Sequence, residues 1–216
     1  MCANYTPVRP ERLQRCFGVS VERDDWVADA YPGHVAPIVM RAPGGLPGAR
    51  TARLAVFGMI PPWSRDGRDF RRCYNARSET VADKPSFRHA WRARQWCVVP
   101  AEAFFEPRYQ DGRAERWRIA SADGAPLAIA GLWEAWRSPG GEVVGSFTML
   151  TIAAEGHPVM AAFHAPGDEK RSVVLLTPGG VDAWLAADQA QARALLVPFA
   201  PDRVCSASDP RAPRGR

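Results

Sequence analysis

The chain has 216 residues, of which 46% are hydrophobic and 24% charged, enough for one buried core and too ordered a composition for wholesale disorder. Its formal net charge of +5 is carried mostly by arginine, which suits an anionic partner such as nucleic acid and equally suits a plain basic surface. Five cysteines without a C-x-x-C pair argue against a disulfide framework or a zinc ribbon and for reduced thiols in a cytoplasm, and neither a secretory leader nor an apolar run of about 18 residues is seen.

In chain order, Thr6-Pro7 reads as a helix cap followed by proline, with Leu13, Cys16 and Phe17 then sharing one face. A strand is predicted over His34–Arg41, a Pro/Gly-rich loop over Ala42–Gly48 and a second strand over Arg53–Ile60. Tyr74–Thr80 reads as a polar turn. Pro85–Arg94 predicts a helix with Phe87, Ala90 and Trp91 on one face and Arg88 and Arg92 on the other. Strands follow at Trp96–Glu106, Arg116–Ser121, Leu127–Trp136 and Val143–Ala153, then a loop at Ala154–Ala162 holding His157, and a strand at Ser172–Leu176. Thr177-Pro178 repeats the cap-and-proline signal ahead of Val181, Trp184 and Leu185. Seven strands and three short helices predict an α+β fold, mostly antiparallel, with a barrel-like core. Residues 1–205 form a single domain in this reading, and Ser206–Arg216 a flexible tail.

Four segments carry chemistry. Loss of Met1 leaves Cys2 with an α-amine of pKa about 7.7–8.0 beside a thiol. Such a 1,2-aminothiol can form a Schiff base with an aldehyde and then close a thiazolidine, which an internal cysteine cannot do because its nitrogen is an amide. Asn75 offers a donor and an acceptor, and Arg77 a fork for phosphate. Glu106 ends an apolar strand, a setting that suits proton transfer; Glu102 is its competitor, four positions away, so alternation puts both on one face and position along the strand must discriminate them. His164 sits in a loop and can shuttle protons near neutrality. The four histidines lack metal-ligand spacing, and no metal or cofactor is expected.

Taken together these segments resemble the SRAP (SOS response-associated peptidase) family. The resemblance rests on Met1-Cys2, Gly58-Met59-Ile60-Pro61-Pro62-Trp63, Asn75-Ala76-Arg77-Ser78-Glu79-Thr80, Pro85-Ser86-Phe87-Arg88, Val98-Val99-Pro100-Ala101 with Phe104-Phe105-Glu106, Ala130-Gly131-Leu132-Trp133-Glu134, Phe147-Thr148-Met149-Leu150-Thr151 and His164-Ala165-Pro166, in that order. It implies a β-rich domain with a basic groove for single-stranded DNA, and a Cys2 that cross-links to abasic sites. It also implies that Asn75 bonds the adduct, Glu106 handles protons, His164 assists deoxyribose ring opening, and Trp63, Arg77, Arg88 and Thr151 contact DNA. The resemblance implies that the cross-link shields the lesion, and it leaves open whether strand cleavage by β-elimination competes. Ala3-Asn4 stands where the family often has glycine and arginine, and Pro107 where tryptophan usually follows the glutamate.

The competing readings are a cysteine peptidase with Cys2 as nucleophile and His164 as base, an N-terminal-nucleophile amidohydrolase, and a non-covalent single-strand binder. The expected protein is a cytoplasmic, nucleoid-associated monomer that loses Met1 by its own action or with help.

Overall fold

The computed structural model describes residues 2–211. Among these, β1 (Asn4–Pro7) and α1 (Pro10–Phe17) are followed by β2 (Val35–Arg41), β3 (Arg50–Phe57), β4 (Asn75–Arg77) and α2 (Arg88–Arg92). Four long strands come next: β5 (Trp96–Gln110), β6 (Arg113–Ser121), β7 (Leu127–Arg137) and β8 (Val143–Ala153). The chain ends with β9 (Arg171–Val173), β10 (Leu175–Leu176), α3 (Gly180–Ala186), α4 (Gln189–Leu195) and β11 (Val204–Ser208). Among the described residues, no helix is long and apolar enough to cross a membrane.

Strands β7, β8, β3, β2 and β5 pair in a ring, and β5 pairs back with β7 to close it. The result is the expected α+β barrel; β3 runs parallel to β8 while the other pairings in the ring are antiparallel. Closure removes the free edges that an open sheet leaves. Alternation sends Ile38, Phe57, Val99, Ile129, Phe147 and Met149 into one buried cluster. Val39, Val98, Ala130 and Leu150 go to the opposite face, into a second cluster with helix residues Leu13, Trp91 and Trp184. There the rings of Trp91 and Trp96 lie 4.8 Å apart and those of Trp96 and Trp184 5.0 Å. Trp184 Nε1 donates to the Cys97 carbonyl at 2.9 Å and Trp96 Nε1 to the Ala187 carbonyl at 2.8 Å. These three tryptophans are core residues and cannot stack on bases.

Several predicted elements shift. The helix signal at Thr6-Pro7 is overruled: both residues lie in β1, paired with β5, and α1 starts at Pro10 instead. A proline at the end of an edge strand costs no ladder bond, so β1 tolerates Pro7. Asn75–Arg77, read as a turn, is a short strand parallel to β8. Helix α4, absent from the prediction, opens on a capping box between Asp188 and Gln191. Residues 206–208, assigned to the tail, belong to β11 and pair with β6; residues 212–216 lie outside the described residues.

Two motif glycines are fixed by contact. Gly58 has φ +102 and a Cβ there would lie 2.2 Å from the Phe70 carbonyl oxygen; a Cβ on Gly131 would lie 2.7 Å from the Thr148 carbonyl oxygen. Gly58 N–H donates to Phe147 O at 2.8 Å, and Ile60 N–H to Ser146 Oγ at 2.8 Å, which docks the loop leading to Trp63 on β8.

Candidate active site at the N-terminal cysteine

β1 lies antiparallel to β5, with Asn4 opposite Phe105 and Tyr5 opposite Phe104. Carried outward, that register sets position 3 level with Glu106 and delivers Cys2 to the same end of β5. Cys2 is 1% exposed. Its thiol donates to the Asn4 carbonyl at 3.5 Å, and its carbonyl accepts from Asn75 Nδ2 at 2.7 Å. Asn75 is aimed there by β4, whose pairing sets Asn75 opposite Met149. Asn75 Oδ1 is buried with no partner among the described residues, so one acceptor remains free beside Cys2.

Burial pushes the Cys2 thiol far above its ordinary value, and the nearby Glu106 carboxylate pushes it further. The hydroxyl of Tyr74 is raised by burial, then by Cys2 and Glu106. Cys2, Glu106 and Tyr74 therefore share one electrostatic neighbourhood.

Glu106 is 2% exposed. Its Oε2 lies 3.1 Å from His164 Nε2. His164 has φ +66, a left-handed conformation uncommon outside glycine. Its N–H donates to Pro107 O at 2.8 Å, while Lys170 Nζ donates to the carbonyls of His164 at 3.2 Å and Ala165 at 2.9 Å. The left-handed turn is thus held from both sides, which places the imidazole beside Glu106.

Glu102 is elsewhere. The β1–β5 register skips it, since Thr6 faces Ala103 and Pro7 faces Ala101. A bulge of this kind reverses which face alternate residues take. Cys97, Val99 and Ala101 share a cluster with Phe104, whereas Ala103 and Phe105 form another. The expectation that Glu102 and Glu106 share a face is therefore wrong, and Glu102 is ion-paired with Arg12.

Of the remaining predicted residues, Trp63 is 53% exposed, with Nε1 donating to Pro85 O at 3.2 Å in the loop before α2. Arg88, the first residue of α2, is exposed. Arg77 follows Asn75 on β4, is half-exposed and pairs with Glu169 at 2.7 Å. Thr151 does not fit a DNA-contacting role. It is 1% exposed, donates to Ala76 O at 3.4 Å and accepts from Arg171 Nη2 at 3.2 Å, so its hydroxyl is spent inside the protein. His157 is also structural: its Nδ1 accepts from Val159 N at 3.1 Å and its Nε2 meets Phe199 O at 3.0 Å. Sequence reasoning passed over Tyr74, Lys170 and Arg116. A cavity of about 610 Å³ opens beside Glu106, lined among others by Asn4, Tyr31, Phe105, Pro107 and Arg116.

A buried cysteine at position 2, held by Asn75 beside a Glu106–His164 pair, meets the motif order described above. The SOS response associated peptidase (SRAP) family matches residues 1–207. The chain belongs to the SRAP family. A solved structure from Bordetella bronchiseptica is 37% identical, with a TM-score of 0.88 over 96% of this chain and 99% of that one. Abasic site processing protein YoqW of Bacillus subtilis is 31% identical over 150 residues, which span 68% of this chain and 63% of that protein. Abasic site processing protein HMCES of Xenopus tropicalis is 27% identical over 117 residues, 44% of this chain and 35% of that protein. The chain thus matches less than two thirds of the length of the YoqW and HMCES proteins.

Proposed function

We propose that this SRAP protein, once Met1 is removed, captures abasic sites in single-stranded DNA as a thiazolidine on Cys2. The observation that carries the reading is the placement of residue 2: its carbonyl is bonded by Asn75, and its thiol neighbours Glu106, which contacts His164. Only at a free N-terminus do an amine and a thiol sit on adjacent carbons. The names of the relatives from Bacillus subtilis and Xenopus tropicalis support the substrate.

The deoxyribose ring opens to an aldehyde, with His164 moving the proton. The Cys2 amine adds to the carbonyl carbon, giving a carbinolamine. Glu106 protonates the departing hydroxyl, and water leaves as the C=N bond forms. The thiol sulfur then adds to that carbon while its proton passes to the nitrogen, closing the ring. Asn75 Oδ1 is the spare acceptor for the ring N–H. Trp63, Arg77 and Arg88 hold the strand by stacking and phosphate contacts.

The peptidase reading gains less. Its nucleophile is a thiolate, and burial beside Glu106 keeps the Cys2 thiol protonated. The ring-closing reading needs only the amine as first nucleophile. The layered helix–sheet architecture of an N-terminal-nucleophile amidohydrolase is not that of this closed barrel.

Mass spectrometry after incubation with single-stranded abasic DNA tests the proposal. The expected species lacks Met1 and carries DNA on Cys2 through denaturation. An adduct on any other residue, or none surviving denaturation, refutes it.

A further inference from the structure

We propose that Arg116 is a positioning residue: a clamp on Asn4 that holds the first residues of the chain against β5 so that the Cys2 amine meets the lesion. A chain end frays unless something ties it down, and here the reacting group is the chain end itself. This inference rests on the capture reading above.

Arg116 stands on β6 opposite Pro107. Its Nε and Nη2 donate to Asn4 Oδ1 at 3.1 and 3.0 Å. Nη2 also donates to Asp29 Oδ2 at 3.1 Å, and Nη1 to the Asp209 carbonyl at 3.2 Å and to its carboxylate. The five N–H groups of the guanidinium thus face five acceptor contacts. The guanidinium carbon lies 3.4 Å from the Phe105 ring centroid, and Phe105 is the residue opposite Asn4 on β5. The fork is therefore fixed in plane and in rotation before it grips Asn4. Asn4 Nδ2 completes the grip by donating to Ala30 O at 3.3 Å.

The bracing carboxylates come from distant parts of the chain. Asp29 precedes β2 and is shared with Arg211 at 3.2 Å. Asp209 follows β11 and also donates its N–H to the Arg116 carbonyl at 2.9 Å. With its charge balanced by Asp29 and Asp209, Arg116 is poorly suited to phosphate and well suited to holding Asn4. The clamp acts two residues from the nucleophile, and Asn75 grips the nucleophile's own carbonyl. Together they leave the amine and thiol few directions to point, which is what a near-attack geometry requires.

The test compares Arg116→Ala, Arg116→Lys and Asp209→Asn with wild type by amide hydrogen exchange and single-turnover cross-linking to abasic single-stranded DNA. Lysine keeps the charge but not the fork. Asp209→Asn removes one brace at a half-exposed position, so it reports even where Arg116→Ala does not fold. Exchange at Asn4 to Thr6 is expected to rise in all three. The maximal cross-linking rate should fall by about 10²-fold in Arg116→Ala, while the half-saturating DNA concentration stays unchanged. Reaction of Cys2 with free acetaldehyde, which needs no groove, should persist at the wild-type rate. Protected amides with wild-type cross-linking would overturn the clamp, as would a parallel loss of the acetaldehyde reaction. A wild-type protein that fails to cross-link refutes the capture reading instead, and the exchange arm still judges the clamp.

Discussion

Removing the donor of Asn75 tests how the nucleophile is held. Asn75 Nδ2 meets the Cys2 carbonyl at 2.7 Å, and both residues are buried. Asn75→Ala leaves that carbonyl without this partner, at a cost of about 1–3 kcal/mol. Against a domain stability of about 5–15 kcal/mol the protein stays folded. The cost falls on the population in which Cys2 is correctly oriented, so the same 1–3 kcal/mol predicts a cross-linking rate about 5- to 150-fold lower. Asn75→Asp keeps the shape but points an oxygen at an oxygen, so it should be at least as damaging. Quenched single-turnover cross-linking, with the melting temperature measured in parallel, gives both quantities. A variant that is destabilised yet cross-links at the wild-type rate would refute the claim that Asn75 orients the nucleophile.

Glu106→Gln should slow cross-link formation or its reversal by about 10²–10⁴-fold, while Glu102→Gln, which only loses the ion pair with Arg12, should change stability by less than about 1 kcal/mol and leave the rate alone; the reverse order in single-turnover assays would transfer the proton role to Glu102. Arg77→Ala should flatten the dependence of log affinity on log salt by about 0.7, whereas Trp63→Ala should lose about 1–3 kcal/mol of binding with the slope intact; titrations at several salt concentrations separate the two. Burial raises the thiols of Cys2 and Cys97 above the ordinary value of 9.0. Their contribution to stability is therefore complete below pH 9.0 and declines as pH rises further, since the unfolded chain ionises first. Denaturant melts from pH 7 to 11 should show that decline, and Cys97→Ala should reduce it.

The barrel was legible because its strands are long and rich in branched and aromatic residues, and because turn residues separate them. The candidate residues Cys2, Asn75, Glu106 and His164, which the fold brings together, were singled out through motif order alone; no periodicity joins positions so distant in the chain. What the sequence concealed is local geometry. A single bulge at Glu102 reverses the face of everything beyond it, and nothing in the residues around Glu102 announces it. Thr6-Pro7 carries a sound helix-start signal, yet pairing with β5 outweighs it. Thr151 sits in a motif beside DNA-contacting candidates, but Arg171 reaches it from β9, a contact visible only once the strands are paired. The α4 start was readable: Asp188 and Gln191 have the spacing of a capping box.

The pairing of β1 with β5 also sets a clock. Asn4 finds its partner only when Phe105 has been made, and at about 5–20 residues per second the ribosome takes roughly 5–20 s to cover that interval. Throughout it the nascent N-terminus lacks β5 to dock on, so on the capture reading Met1 would be open to an aminopeptidase acting during synthesis before β5 can compete for the segment. On the capture reading proposed above, Met1 would be removed while the chain end is still a loose peptide, and Cys2 would be buried only afterwards. Production in a host starved of that aminopeptidase should therefore yield folded protein that keeps its first methionine.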